Sequence, residues 1–149
     1  MNPFDLKSAL FARHAQHVVI IHFPIALFMI SVLFDLIALW KKSSALAEAA
    51  YYNLLAAALS TLPAVATGLL AWQLQLEGKA LRGTLRLHML FALLASALIW
   101  VQWWLRFRVR RESRPAMPMA LFALEFVTAA MVALTGHLGG FLSGVNGPG

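Results

Sequence analysis

Four long apolar runs dominate the chain, and short polar segments separate them. The runs cover about residues 18–40, 46–72, 85–105 and 117–138. Each is long enough to cross a bilayer, because a spanning helix needs ~20 mostly apolar residues. Every backbone polar group inside lipid must be satisfied within its own segment, so these lengths predict helices. The pattern therefore predicts one integral membrane domain over residues 1–149, folded as an all-α, up-down-up-down four-helix transmembrane bundle.

Composition supports this prediction and excludes several classes of site. Of the 149 residues, 61% are hydrophobic and 12% are charged, about half the charged fraction of ~25% in soluble domains. The net charge of +6 is better explained by membrane topology than by a nucleic-acid partner, because most basic residues lie between the apolar runs. The absence of cysteine excludes disulfides, cysteine-ligated iron–sulfur clusters and covalent haem c.

The distribution of basic residues predicts the orientation in the membrane. The segments after the first and third runs share one side, and their basic residues are Lys41, Lys42, Arg106, Arg108, Arg110, Arg111 and Arg114. The other side has Lys7, Arg13, Lys79, Arg82 and Arg86. Because the first side is the more basic, we expect it to be cytoplasmic and both termini to be on the outer side of a bacterial cytoplasmic (inner) membrane.

Five histidines would share the outer end of this bundle. His22 lies ~6 Å inside the first run at 1.5 Å per residue, His88 begins the third run and His137 ends the fourth, while His14 and His17 flank the first run. An ionisable group inside a membrane segment is costly, so a functional role is the default hypothesis. Three interpretations remain open: interfacial residues bonded to water and backbone, a zinc or copper site, and haem b with two axial histidines.

We favour haem b, because bundle cores hold cofactors through side chains of facing helices. In a square of helices in sequence order, the first and third helices face each other diagonally. His22 and His88 would then meet at one depth and serve as the axial ligands of the haem iron. His17 or His137 could replace either ligand or support it.

Charged residues complete the predicted site. Arg82 and Arg86 lie on the histidine side and would offset the two haem propionates. Asp35 and Glu125 lie at similar depth toward the basic side, where they could share a proton or one could accept a proton from a quinol. Alternatively, Asp35 has a structural role and pairs with a lysine at 41–42.

Glycines mark two further features. Gly68 belongs to a stripe of small residues in the second run, which is typical of close helix packing but would also make room for a flat cofactor. Residues 139–149 are rich in glycine and are predicted as a tail, either flexible or folded back over the outer end.

Three motifs carry a family resemblance. They are His17 with His22-Phe23-Pro24-Ile25-Ala26-Leu27 and Leu33-Phe34-Asp35-Leu36, then Leu87-His88-Met89, and finally Gly136-His137-Leu138-Gly139-Gly140. Together they resemble the domain-of-unknown-function 2231 family of bacterial membrane proteins. That family usually has a proline where this chain has Val18, and its closing motif continues with a tyrosine and a histidine that are absent here.

The resemblance implies a compact four-helix membrane domain. It implies that His22, Asp35, His88 and His137 matter most, with His17 next. Some relatives are joined to haem c or Rieske-type iron–sulfur domains, which implies a place in electron transfer.

Together these observations predict a small b-type cytochrome-like subunit rather than a stand-alone enzyme. It would pass electrons between the quinone pool and a periplasmic partner, such as a c-type cytochrome or an iron–sulfur protein, within a membrane redox complex. The alternative is a cofactor-free anchor or assembly subunit whose histidines are interfacial. A metal or proton transporter is disfavoured because the sequence shows neither an internal repeat nor a continuous polar path.

Overall fold

Four helices account for nearly all of the chain that the structure describes. A computed structural model describes residues 13–75, 81–111 and 118–143. The helices are α1 (Arg13–Lys41), α2 (Ser44–Gln75), α3 (Gly83–Arg111) and α4 (Met119–Leu142). All four are long and apolar enough to cross a membrane, so the predicted four-helix transmembrane fold is confirmed. The membrane side of the termini stays a prediction.

All four helices are longer than the predicted runs, and two of the ends change an interpretation. α3 continues to Arg111, so Arg106, Arg108, Arg110 and Arg111 belong to the helix and not to a loop after it. α4 continues to Leu142, so the first residues of the predicted tail extend the helix instead of folding back over the bundle. The rest of that tail, and most of the N-terminal segment, lie outside the described residues.

A two-residue connection joins α1 to α2 and forces them to be antiparallel neighbours. Lys42 has a φ of 51°, and the Ser43 amide donates to the Ala38 carbonyl at 3.1 Å, which is the Schellman arrangement that ends helices. The Ser43 hydroxyl then accepts from the Leu46 amide at 3.4 Å, so the same residue caps the start of α2.

The helices pack in chain order around a square. α1 lies along α2 and α3 lies along α4, while α2–α3 and α4–α1 contacts close the bundle. α1 and α3 are therefore diagonal, as are α2 and α4. The shared core consists of Phe28, Val32, Leu54, Ala57, Ala58, Ala95, Ile99 and Val132. Many of the other large apolar side chains are exposed, as expected for surfaces that face lipid.

The burial pattern of α1 and α2 recurs in α3 and α4. Every buried residue of α3 and α4 has a buried counterpart 71 positions earlier in the chain. The pairs are Pro24 with Ala95, Phe28 with Ile99, Ser31 with Gln102, Asp35 with Arg106, Ala50 with Leu121, Tyr51 with Phe122, Leu54 with Glu125, Ala57 with Thr128 and Thr61 with Val132. The second hairpin thus repeats part of the burial pattern of the first, at a constant spacing of 71 residues.

This repeat corrects the expectation that the chain has none. It resides in which positions are buried and not in residue identity, since none of these nine pairs is identical. Comparing residue types at these nine positions therefore misses it.

Candidate functional site

His17 lies at the outer end of the bundle, where α1 crosses α2. Its Nδ1 is 3.1 Å from the Thr67 hydroxyl, and that hydroxyl donates its own proton to the Pro63 carbonyl at 2.8 Å. The hydroxyl has one proton and lies near the carbonyls of Pro63 and Ala64, so the matching tautomer of neutral His17 has its proton on Nδ1. The ring lies against Gly68, where an added Cβ would come within 2.9 Å of Cε1.

His88 is held in the same way where α3 crosses α4. Its Nδ1 is 3.1 Å from the Thr135 carbonyl, and a carbonyl can only accept, so Nδ1 is again the protonated nitrogen. The ring lies against Gly139, where an added Cβ would be 3.2 Å from Cε1. Both imidazoles are half-buried. With the proton on Nδ1, the nitrogen with the lone pair is Nε2, one of the two ring nitrogens through which histidine binds metals.

These two histidines are equivalent positions of the repeat. The spacing of 71 that relates the buried residues also relates His17 to His88 and Gly68 to Gly139. The histidines therefore occupy one diagonal of the bundle at one level, and the glycines occupy the other diagonal. Each glycine accommodates the imidazole of the neighbouring helix, because no Cβ occupies the space that the ring takes.

The other histidines that the sequence singled out are oriented differently. The His22 side chain is exposed, and its Nδ1 is 2.6 Å from the Val18 carbonyl of its own helix. His137 is also exposed, and its ring packs edge-on against Phe141 with 4.9 Å between centroids. The structure thus orients His88 toward α4 and leaves His22 on the outer face of α1, and the pairing of these two as haem ligands stays a prediction.

A small cavity opens beside His17. Its volume is about 150 Å³, and it is lined by Gln16, Thr67, Leu70, Ala71 and Leu74. Pockets that hold cofactors measure about 300–1,000 Å³, so a large cofactor would have to displace the imidazoles from their glycines. Within the described residues, no cluster of three or more histidine and carboxylate side chains is arranged to hold a metal ion.

A buried ionic cluster occupies the opposite end of the bundle. Arg106 donates to both carboxylate oxygens of Asp35, at 2.7 Å from Nη1 and 2.5 Å from Nη2. The same Nη1 is 3.5 Å from Glu125 Oε1. Asp35, Arg106 and Glu125 are only 3%, 6% and 2% exposed. One guanidinium from α3 thus joins carboxyl groups from α1 and α4 in the fork geometry that Arg forms with carboxylates.

This cluster corrects two expectations. Asp35 pairs with Arg106 across the diagonal and not with Lys41 or Lys42. Arg106 lies inside the bundle, so it no longer counts among the basic residues at the membrane surface. The predicted excess of basic residues on that side shrinks to one, and the orientation rests on a smaller bias than the sequence suggested.

Polar atoms without partners surround the cluster. Gln102 donates to the Thr128 hydroxyl at 2.5 Å, but its Oε1 is buried with no hydrogen-bond partner, as are Glu125 Oε2 and Trp103 Nε1. Sequence analysis missed Gln102 and Arg106. The available signal was their spacing, because residues four apart share a helix face and this face continues the buried positions Ala95 and Ile99.

The family model described as "Predicted membrane protein (DUF2231)" matches residues 13–147. The chain therefore belongs to this family, as the three sequence motifs indicated. No curated protein and no solved structure matches the chain.

Proposed function

We propose that this protein is a small b-type cytochrome-like subunit of the bacterial inner membrane, with haem held between α1 and α3 by His17 and His88. The observation that carries the proposal is the equivalence of the two His–Gly pairs under the repeat of 71 residues. Two imidazoles on diagonal helices at one level form the donor set that a six-coordinate haem requires.

The residues around each histidine suit this role. Ligating histidines usually donate the second ring N–H to a neighbouring oxygen, which fixes the tautomer and the ring orientation. The oxygens of Thr67 and Thr135 accept this bond from His17 and His88. The two imidazoles occupy the space that a Cβ at Gly68 or Gly139 would take, so the glycines set where each ring lies. His17 thus replaces His22, the residue that sequence depth favoured, because the His22 side chain is exposed and bonds within its own helix.

The place of the site suggests its partners. Haem supplies one-electron chemistry whose potential depends on ligands, burial and nearby charge. Arg82 and Arg86 are exposed at the histidine end, where they can pair with propionates at the membrane surface. We propose the quinone pool as one partner and a periplasmic c-type cytochrome or iron–sulfur protein as the other.

One observation favours a second function. Each imidazole already has an oxygen partner and packs on a glycine of the next helix, so both histidines can serve as contacts that hold helix pairs together. The protein would then be a cofactor-free anchor or assembly subunit of a membrane redox complex.

The dithionite-reduced minus oxidised spectrum of the detergent-purified protein, with a pyridine haemochrome count, tests both functions. The cytochrome proposal expects a sharp low-spin α-band at about one haem per chain. His17→Ala and His88→Ala should each abolish the band while circular dichroism shows intact helices.

His22→Ala is the matched control, since His22 is on the same helix as His17 and is exposed. It should keep the band. Loss of the band in His22→Ala with retention in His17→Ala would support His22 and His88 as the ligands, as predicted from the sequence. A featureless wild-type spectrum, from protein expressed with ample haem, would refute the cytochrome proposal and leave the anchor.

A further inference from the structure

The buried ionic cluster contains one more acid than base. Both terminal nitrogens of the Arg106 guanidinium donate hydrogen bonds to Asp35. Glu125 has one contact of 3.5 Å to the same guanidinium, and its second oxygen is buried without a hydrogen-bond partner. If both carboxyl groups were ionised, a net negative charge would be buried inside the membrane, which costs several kcal/mol.

We propose that Asp35 and Glu125 hold one exchangeable proton between them, which makes this carboxyl pair a proton-binding site inside the membrane. Both carboxyl groups contact the same guanidinium nitrogen, because Arg106 Nη1 is 2.7 Å from Asp35 Oδ2 and 3.5 Å from Glu125 Oε1. Ionised carboxylates only accept hydrogen bonds, so two carboxyl groups can be joined directly only when one of them is protonated. With that proton the cluster is neutral: one guanidinium, one carboxylate and one carboxylic acid.

No other described charge offsets this excess. α1 contributes Asp35 and α3 contributes Arg106, the only described cation that is buried. The ionisable residues near this end of α2 are occupied or outward-facing: Glu48 is 3.5 Å from Arg110, Tyr51 lies under the Arg110 guanidinium at 4.3 Å, and Tyr52 is exposed.

The uncharged side chains beside the cluster also favour a protonated carboxyl group. Thr128 of α4 gives its hydroxyl proton to the Leu124 carbonyl at 2.8 Å and accepts from Gln102, so it has no proton left for an acid. Gln102 Oε1 and Glu125 Oε2 are both buried acceptors without a donor. A proton on Glu125 would add a donor beside these two acceptors. The proposal does not depend on haem.

Infrared spectroscopy of the full chain in lipid nanodiscs tests this site. A protonated carboxylic acid gives a carbonyl-stretch band that carboxylates lack and that shifts in heavy water. We expect this band at neutral pH in the wild type, with an area of one carboxylic acid per chain. The wild-type measurement needs no substitution, and absence of the band would overturn the proposal.

Two isosteric variants test whether the proton is shared. Glu125→Gln removes the band because Asp35 stays ionised beside Arg106. Asp35→Asn also removes it, because Glu125 then becomes the counter-ion of Arg106 and ionises. Glu48→Gln, an exposed acid at the same end, keeps the band. A band that survives Glu125→Gln belongs to another acid, and one that survives Asp35→Asn belongs to Glu125 alone, so either result refutes the shared proton.

Discussion

Removing the Arg106 guanidinium should destabilise the bundle more than removing a surface cation. Arg106→Gln leaves Asp35 and Glu125, which are 3% and 2% exposed, without a counter-ion. Removing one partner of a buried ion pair costs about 3–5 kcal/mol. We therefore expect a loss of that size in the free energy of unfolding.

Two other substitutions provide comparisons for this loss of stability. Asp35→Asn is milder, at about 1.5–3 kcal/mol, because it removes hydrogen bonds to a charged group but leaves Arg106 with Glu125. Arg110→Gln is the matched control on the same helix. Its partner Glu48 is 3.5 Å away and both side chains are about half exposed, so its loss should cost less than about 1 kcal/mol.

Reversible unfolding of the full chain in mixed detergent micelles measures these values, followed by helical circular dichroism. The double variant Asp35→Asn with Arg106→Gln closes a cycle whose coupling energy we expect to exceed about 1 kcal/mol, as for residues in one ionic network. If Arg106→Gln is no worse than Arg110→Gln, then water reaches Arg106 and the reasoning from burial is wrong.

Two further predictions concern helix contacts and orientation. Gly68→Ala should lower the thermal midpoint of unfolding because its Cβ would lie 2.9 Å from His17 Cε1. Gly136→Ala meets nothing within 4 Å and should stabilise α4 by about 0.5–1 kcal/mol. Equal effects of the two substitutions would show that the His17 ring moves aside at no cost. Because the chain has no cysteine, single thiols report orientation: in intact cells an impermeant reagent should label Arg82→Cys and not Lys42→Cys, and the opposite pattern would invert the predicted topology.

The apolar runs predicted the four helices because lipid leaves few other ways to satisfy a backbone. The apolar runs did not predict that α3 continues through the arginines or that one of them is buried. Five arginines follow the third run, and an arginine paired inside the bundle looks the same in sequence as one at the surface. Arg106 differs from the other four arginines in its spacing from the buried residue Ile99 and in the position of Asp35 on the opposite helix.

The choice between His17 and His22 shows a similar limit. Depth along the first run favoured His22, but the helical phase decides where a side chain points. His17 is in register with the buried positions Pro24, Phe28 and Asp35, at spacings of seven, four and seven residues, and His22 is not. His88 has the same register on α3. This periodicity indicates which histidines face the bundle, but the sequence alone does not show which helix face is buried.

The repeat also affects which hairpins pair with each other. Asp35 and Arg106 occupy equivalent positions, so a pair made from two first hairpins would bury two carboxylates against each other, and a pair made from two second hairpins would bury two guanidiniums. Like charges placed together in this way cost several kcal/mol. Only the first hairpin with the second brings opposite charges across the diagonal. The buried charges therefore favour pairing of the first hairpin with the second over pairing of either hairpin with a copy of itself.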